Sequence, residues 1–233
     1  QKPVPPLNLV GDMGGGGMLL VNGVLAALLE CANSGKGQVI DVAMVDGAAQ
    51  LMWMFYSFQA FGLWDATQRE SNMLDGGAHY YDTYECADGE YISIGSIEPQ
   101  FYALLKKLAG LSEADFGAQN DQANWPQMKD KLTAIFKQKT QAQWCDIMEG
   151  TDVCFAPVLN FMEAPKHPAN VARNTYIELD GITQPAPAPR FSRTPSTVQH
   201  GAHDAGQDTA AVLTAMGFGE QELASLRTAG AIV

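Results

Sequence analysis

From Met18 to Leu29 the chain is apolar with so little polar relief that Leu19, Leu20, Val21, Val24, Leu25, Leu28 and Leu29 fall on nearly every side of a helix. A helix of this kind, over about Met18 to Asn33, is expected to be buried all round. Ser34-Gly35-Lys36-Gly37 ends it, with Gly35 able to take the left-handed conformation that closes many helices. Gln38 to Val42 reads as a short strand. Met44 to Phe61 returns to helical spacing and carries Met44, Met52, Trp53, Met54, Phe55 and Phe58. That is more apolar surface than a lone chain hides easily, so a partner surface or a further part of the protein is expected to cover it.

The character changes after Asp75-Gly76-Gly77. Tyr81 to Cys86 and Glu90 to Ser96 predict two strands, joined across Ala87-Asp88-Gly89, and Asp-Gly between such runs is a hairpin signal. Pro99 suits the first position of a helix, which makes Glu98 the residue before it. Helices are predicted at Trp125 to Gln138 and Ala142 to Gly150, and Phe155 to Leu159 reads as a strand with an edge proline. Thr183 to Pro195, with Pro185, Pro187 and Pro189, reads as an extended connector. Two short helices follow, Asp208 to Met216 and Glu220 to Ala229, and no internal repeat is visible. The segments group as 1–74, a mixed α+β unit over 75–180, and a connector with C-terminal helices over 181–233.

One stretch carries candidate chemistry. Gly11-Asp12-Met13-Gly14-Gly15-Gly16-Gly17 leads straight into the first helix. Asp12 sits where a helix N-cap is expected, and the glycines let a ligand atom approach the backbone closely. A helix N-terminus favours negative charge, so a base and an anion-stabilising amide surface are offered together. That pairing suits removal of a proton beside a carbonyl. The simpler reading is a capped helix after a glycine-rich turn. Glu98 is not a favoured N-cap residue, and its position at a strand end hints at a function. Its simpler reading is a surface carboxylate that complements the helix dipole.

Composition narrows the rest. A formal net charge of -12 over 233 residues argues against nucleic acid as a partner. No apolar run in the sequence reads as long and clean enough for a membrane span, and no secretory leader is recognisable. Cys31, Cys86, Cys145 and Cys154 lack metal-like spacing, so no metal is expected and buried free thiols in a reducing compartment are. His79 in a boundary loop and His200 and His203 in a polar segment read as solvated or structural. Gln1 to Pro6 resembles a linker, so the sequence reads as cut from something longer. Ala229 to Val233 is not a peroxisomal address, and a cytoplasmic enzyme of bacterial type is expected.

Taken in order, Gly11-Asp12 with its glycines, Ser34 to Gln38, Asp41 to Asp46, Asp75 to Ala78, Tyr81-Asp82-Thr83-Tyr84, Asp88-Gly89, Ile97 to Phe101 and Pro189-Arg190-Phe191-Ser192 resemble the family III CoA-transferases. The match spans nearly the whole chain and is nearest to the members that racemise 2-methylacyl-CoA thioesters. The resemblance implies an α/β fold: here the helical end of a large Rossmann-like domain, a smaller α+β domain, and a C-terminal segment returning to the large one. It implies an interlocked homodimer with active sites between the large domain of one chain and the small domain of the other. No cofactor is implied, since coenzyme A is part of the acyl-CoA substrate.

The resemblance also distributes roles. Asp12 falls on the catalytic aspartate and Glu98 on the glutamate that pairs with a catalytic histidine. Asn8 and Tyr81 fall on hydrogen-bonding neighbours of the aspartate, and Met13 and Gly14 complete the substrate-contacting set. None of His79, His167, His200 or His203 matches the histidine, which in the family lies upstream of the proline-rich stretch. In the implied reaction the oxyanion is held at the helix N-terminus, and exclusion of water strengthens the aspartate as a base. Met13, Met18, Met44, Met52 and Met54 read either as a pliable acyl surface or as plain core. A CoA-transferase of the same fold, with the aspartate as nucleophile, and a non-catalytic dimerisation unit are the alternatives.

Overall fold

The structure, a computed structural model, describes residues 2–232. The first and last residues of the linker-like opening and of the Ala229–Val233 stretch, Gln1 and Val233, therefore lie outside it. The chain divides into two compact units, Gln1–Val158 and Leu159–Val233.

In the first unit a π-helical segment, Leu9–Met18, continues without interruption as α1, Leu19–Ser34. Gly35, left-handed at φ 72°, closes α1 as expected, its N–H donating to the Cys31 carbonyl. The expected burial does not hold. None of the residues of α1 is buried, and Leu25 and Leu29 are 61% and 66% exposed. One narrow stripe, Leu19, Gly23, Ala27 and Cys31, is half-buried, with Ile40 and Val42 beside Gly23, and the rest of the helix's apolar surround is exposed. Counted from Leu9, the continuous helix runs 26 residues and is long and apolar enough to cross a membrane by length and composition, so the sequence argument that no run is long enough falls.

Residues 38–42, expected as a strand, form none, since no strand among the described residues pairs with them. The long helix expected from Met44 is two, α2 (Met44–Leu51) and α3 (Trp53–Ala60), parted where Met52 leaves helical geometry at φ -92°, ψ 0°.

The rest of this unit follows the expected pattern closely. β1 (Tyr81–Glu85), β2 (Tyr91–Gly95) and β3 (Phe155–Pro157) make an antiparallel sheet in that order, with Pro157 on the edge strand. Gly89, at φ 84°, turns the hairpin. Helix α4 (Pro99–Ala109) starts at its proline, and α5 (Glu113–Phe116) follows. Helix α6 (Trp125–Phe136) buries Trp125, Met128, Leu132 and Phe136, one stripe at helical spacing. Helix α7 (Gln141–Met148) carries a capping box between Thr140 and Gln143.

One core joins these elements. Tyr84, Ile92 and Ile94 from one sheet face meet Tyr102, Leu105, Leu132, Phe136, Trp144 and Met148. Phe136 lies 5.1 Å from Tyr84 and 5.0 Å from Trp144 between ring centres, and the Trp144 indole N–H donates to the Phe136 carbonyl. Each such side chain contributes about 1.5–3 kcal/mol by leaving water.

In the second unit, α8 (Pro168–Ala172) precedes a hairpin of β4 (Tyr176–Leu179) and β5 (Ile182–Pro185). This corrects the connector reading, since Thr183 to Pro185 pair with Tyr176 to Glu178. Asp180 at φ 52° and Gly181 at φ 77° form the turn, and this second Asp-Gly was as readable as the first. Helices α9 (Thr209–Ala215) and α10 (Glu220–Thr228) agree with expectation.

Candidate active site

Asp12 is not the N-cap. The helix begins three residues earlier, at Leu9, with Asn8 as its cap residue, and the Asn8 side chain makes no capping bond. The ladder opens with the Met13 N–H donating to the Asn8 carbonyl at 3.1 Å, a five-residue step. The amides of Val10, Gly11 and Asp12 therefore stand ahead of that ladder, at the positive end of the helix. Asp12 lies in this first turn, exposed, and its carboxylate has no hydrogen-bond or ion-pair partner among the described residues.

Gly15 has a packing role that the sequence reading did not foresee. Gly15 is buried, and a Cβ on it would meet the Ala48 nitrogen at 2.7 Å. A Cβ on Gly47 would meet the Gly15 oxygen at 1.9 Å. Gly15 and Gly47 thus bring two helical backbones into direct contact, which no side chain permits. Gly14 faces the same way, toward Leu51. By contrast, nothing lies near Gly11, beside the carboxylate. Met13, Met18, Met44 and Met52 are exposed and Met54 is half-buried, so the plain-core reading of these methionines does not hold.

Glu98 and Tyr81 share one end of the three-stranded sheet. Tyr81 opens β1 opposite Gly95, and a Cβ on Gly95 would sit 3.6 Å from the Tyr81 ring. Glu98 is extended at φ -71°, ψ 144°; its carbonyl accepts from the Tyr102 N–H, leaving the exposed side chain free of helix capping. Burial, then the Glu98 and Asp152 charges, push the Cys154 thiol up from its ordinary range. Cys154, expected as a buried free thiol, is exposed and left-handed at φ 59°, and its carbonyl accepts from the Gly95 N–H. Among the described residues no hydrogen bond or ion pair joins Asp12 or Asn8 to Tyr81 or Glu98.

Lys129 was also unforeseen. Its ammonium pairs with Asp82 at 2.6 Å and donates to the Gly76 carbonyl, tying α6 to the start of the sheet. Asp75 holds the preceding loop, accepting from the Asn72 backbone and side chain and from the Gly77 N–H.

Of the cysteines only Cys86 is buried, which corrects the expectation for the set; all are free, and burial pushes the Cys86 thiol up to about 11. His79 is structural rather than solvated. It is wholly buried, with Nε2 2.7 Å from the Tyr102 hydroxyl, which itself donates to the Phe116 carbonyl. That pattern puts the proton on Nε2 and leaves Nδ1 without a partner. Burial, helped by the Lys129 charge, lowers its pKa to about 4. No cluster of His, Cys, Asp and Glu among the described residues can hold a metal ion.

Comparison with known proteins adds to this geometry. The family profile described as CoA-transferase family III matches residues 1–209. The chain is 46% identical over 232 residues to the α-methylacyl-CoA racemase of Mus musculus, covering 98% of this chain and 60% of that protein. It is 41% identical over 230 residues to the α-methylacyl-CoA racemase of Homo sapiens, with the same coverage of each chain. Among solved structures, a hypothetical protein of Mycobacterium tuberculosis, Rv3272, superposes with a TM-score of 0.69 at 21% identity, covering 91% of this chain and 56% of that one. At that identity the likeness speaks for the fold alone.

Proposed function

Since the chain belongs to CoA-transferase family III, we propose that it is part of a racemase that interconverts (R)- and (S)-2-methylacyl-CoA thioesters. The chain spans about 60% of the length of the curated relatives it matches, so the activity proposed is that of the full-length enzyme. The observation that carries the reading is the state of Asp12: an exposed carboxylate without a protein partner, in the first turn of a helix whose leading amides precede the hydrogen-bond ladder.

The chemistry follows from that placement. A thioester carbonyl acidifies its α-hydrogen, and Asp12 removes it as a proton. The electron pair moves onto the thioester oxygen, where N–H groups at the helix N-terminus stabilise the oxyanion. Inversion needs a second group to return a proton to the opposite face. We assign that group to a histidine outside this sequence, with Glu98 orienting it and balancing its charge, as a carboxylate does in other acid–base pairs. Asn8 and Tyr81 hydrogen-bond near the aspartate, while Met13 and Gly14 border the substrate. The carbonyl oxygens, not a separate cofactor, carry the developing charge.

Asp12 and Glu98 act, in this reading, from different chains of an interlocked homodimer. The exposed apolar side chains of α1 support a covering surface of that kind. We read the Leu9–Ser34 helix as packed on protein rather than lipid, because Gly15 already meets Gly47 backbone to backbone. Residues 1–74 and 181–233 are assigned to the large domain, residues 75–180 to the small one, and the enzyme to the cytoplasm.

The test uses the full-length enzyme in deuterated water with a single-enantiomer 2-methylacyl-CoA and no free acid. Deuterium uptake at the α-carbon with loss of optical purity is expected, falling at least about a hundredfold in Asp12→Asn. CoA passing to an added carboxylic acid without α-exchange would instead make Asp12 a nucleophile and the enzyme a transferase.

A further inference from the structure

Glu98 follows a short segment, 95–97, that leaves the middle strand of the sheet. The Gly95 N–H donates to the Cys154 carbonyl at 2.8 Å and the Ser96 N–H to the Tyr80 carbonyl at 3.0 Å. The Ile97 N–H turns back to the Gly95 carbonyl at 2.8 Å. The Ser96 hydroxyl, wholly buried, donates to the Val153 carbonyl. Among the described residues, no backbone N–H takes the carbonyls of Ser96 and Ile97.

Gln119 takes both. Its side-chain amide, in the loop between α5 and α6, donates to the Ile97 carbonyl at 2.8 Å and to the Ser96 carbonyl at 3.2 Å. A primary amide suits this task, because one nitrogen carries two N–H groups and so serves one acceptor with each. The loop is itself anchored. The Gln119 carbonyl accepts from the indole N–H of the buried Trp125 at 2.8 Å, and the Asn120 side chain accepts from the Tyr80 hydroxyl at 3.2 Å.

Glu98 is therefore held from two sides. On one, its carbonyl accepts from the Tyr102 N–H at 2.9 Å, and Pro99 opens α4. On the other, a fixed Ile97 carbonyl fixes the whole planar peptide that joins Ile97 to Glu98. The side-chain torsions of Glu98 are what remain free. We propose that Gln119 is a positioning residue for Glu98: by holding the Ser96 and Ile97 carbonyls, it sets the direction in which the Glu98 carboxylate meets the second base. This rests on the racemase reading and adds to it a residue that touches neither substrate nor base. Gln119 is uncharged, so its influence passes through geometry.

The experiment follows racemisation of 2-methylbutanoyl-CoA by the full-length enzyme over a pH series. Gln119→Met keeps the length of the side chain and removes both N–H groups. Gln119 is half-buried in a loop, so water reaches the freed carbonyls and folding is retained. Gln119→Asn, an amide one methylene shorter, is the milder second variant. In Gln119→Met, kcat is expected to fall about tenfold with KM changed less than about twofold, and in Gln119→Asn the fall is smaller. The alkaline limb of kcat/KM is expected to move to lower pH, as in Glu98→Gln, because the histidine loses a carboxylate that favours its charged form. Added to Glu98→Gln, Gln119→Met is expected to cost less than about a further twofold, since both changes remove one function. Losses that multiply overturn the positioning role, as does an alkaline limb unmoved in both Gln119 variants; either result makes Gln119 a plain loop anchor. If the unsubstituted enzyme shows no α-exchange, the racemase reading falls and takes this role with it. Exchange that persists, with Gln119 losses independent of Glu98, removes the positioning role alone.

Discussion

Residues 9–61 and residues 78–153 both carry large apolar side chains at helical spacing, and they dispose of them in opposite ways. In the second region Leu132 is 0% exposed and stacks with aromatic neighbours into one core. In the first, α1 has no buried residue, and the close contact is made by the backbone of the π-helical segment before it, between Gly15 and Gly47. One region spends its apolar surface on its own stability. The other leaves it exposed, and there the proposed catalytic carboxylate resides. The chemistry assigned to Asp12 needs an open approach for substrate, whereas Glu98 and Tyr81 need a rigid sheet to aim them.

The comparison can be broken most directly by truncation. In this chain Leu132→Ala is expected to cost about 2–5 kcal/mol in denaturant unfolding, against about 0.5 kcal/mol or less for Leu25→Ala. Equal costs would mean that α1 is as much a core element as α6.

Acid sharpens it next. His79 is buried neutral with its pKa lowered to about 4 from an ordinary 6.5. Its contribution is then fully present above about pH 6.5 and is lost as the pH falls toward 4, because over that window the unfolded chain binds the extra proton. The loss amounts to at most about 3 kcal/mol. His79→Gln is expected to flatten this limb in a pH series of melting temperatures; an unaltered slope would show that the α+β core admits water at this position.

The glycine contact is the last and smallest probe. Gly47→Ala forces the two helical backbones apart and should cost about 1–3 kcal/mol, while Gly11→Ala, with nothing nearby, should be close to neutral. Thermal melts of the two variants read the difference, and matching melts would deny the helix–helix contact.

The α+β region was legible in the sequence because its signals are local. Asp88-Gly89 specifies a hairpin, Pro99 starts a helix, and the Trp125, Met128, Leu132, Phe136 spacing marks a buried stripe. The Asp180-Gly181 hairpin had the same kind of signal and was hidden by the prolines that follow it. Of the proposed site, Asp12 and Glu98 stood out in the sequence, one beside a glycine run and the other before a helix-starting proline; their roles, and Asn8 and Tyr81, came from a resemblance carried by many short motifs.

What the sequence determined alone is therefore the local chemistry: turns, helix starts, apolar stripes, and a carboxylate next to a glycine run. Only the tertiary structure decided what those features face. Whether a glycine admits a ligand or a second helix depends on what lies opposite, and for Gly15 it is Gly47. Whether an apolar helix is core or surface depends on the presence of a complementary face, which α6 has and α1 has only along one narrow stripe among the described residues. The register of three strands, set by pairing partners as far apart as Ile92 and Pro157, is what lines up Thr83, Ser93 and Ala156 in one row. Burial and register are properties of pairs of segments, and no single stretch of chain encodes them.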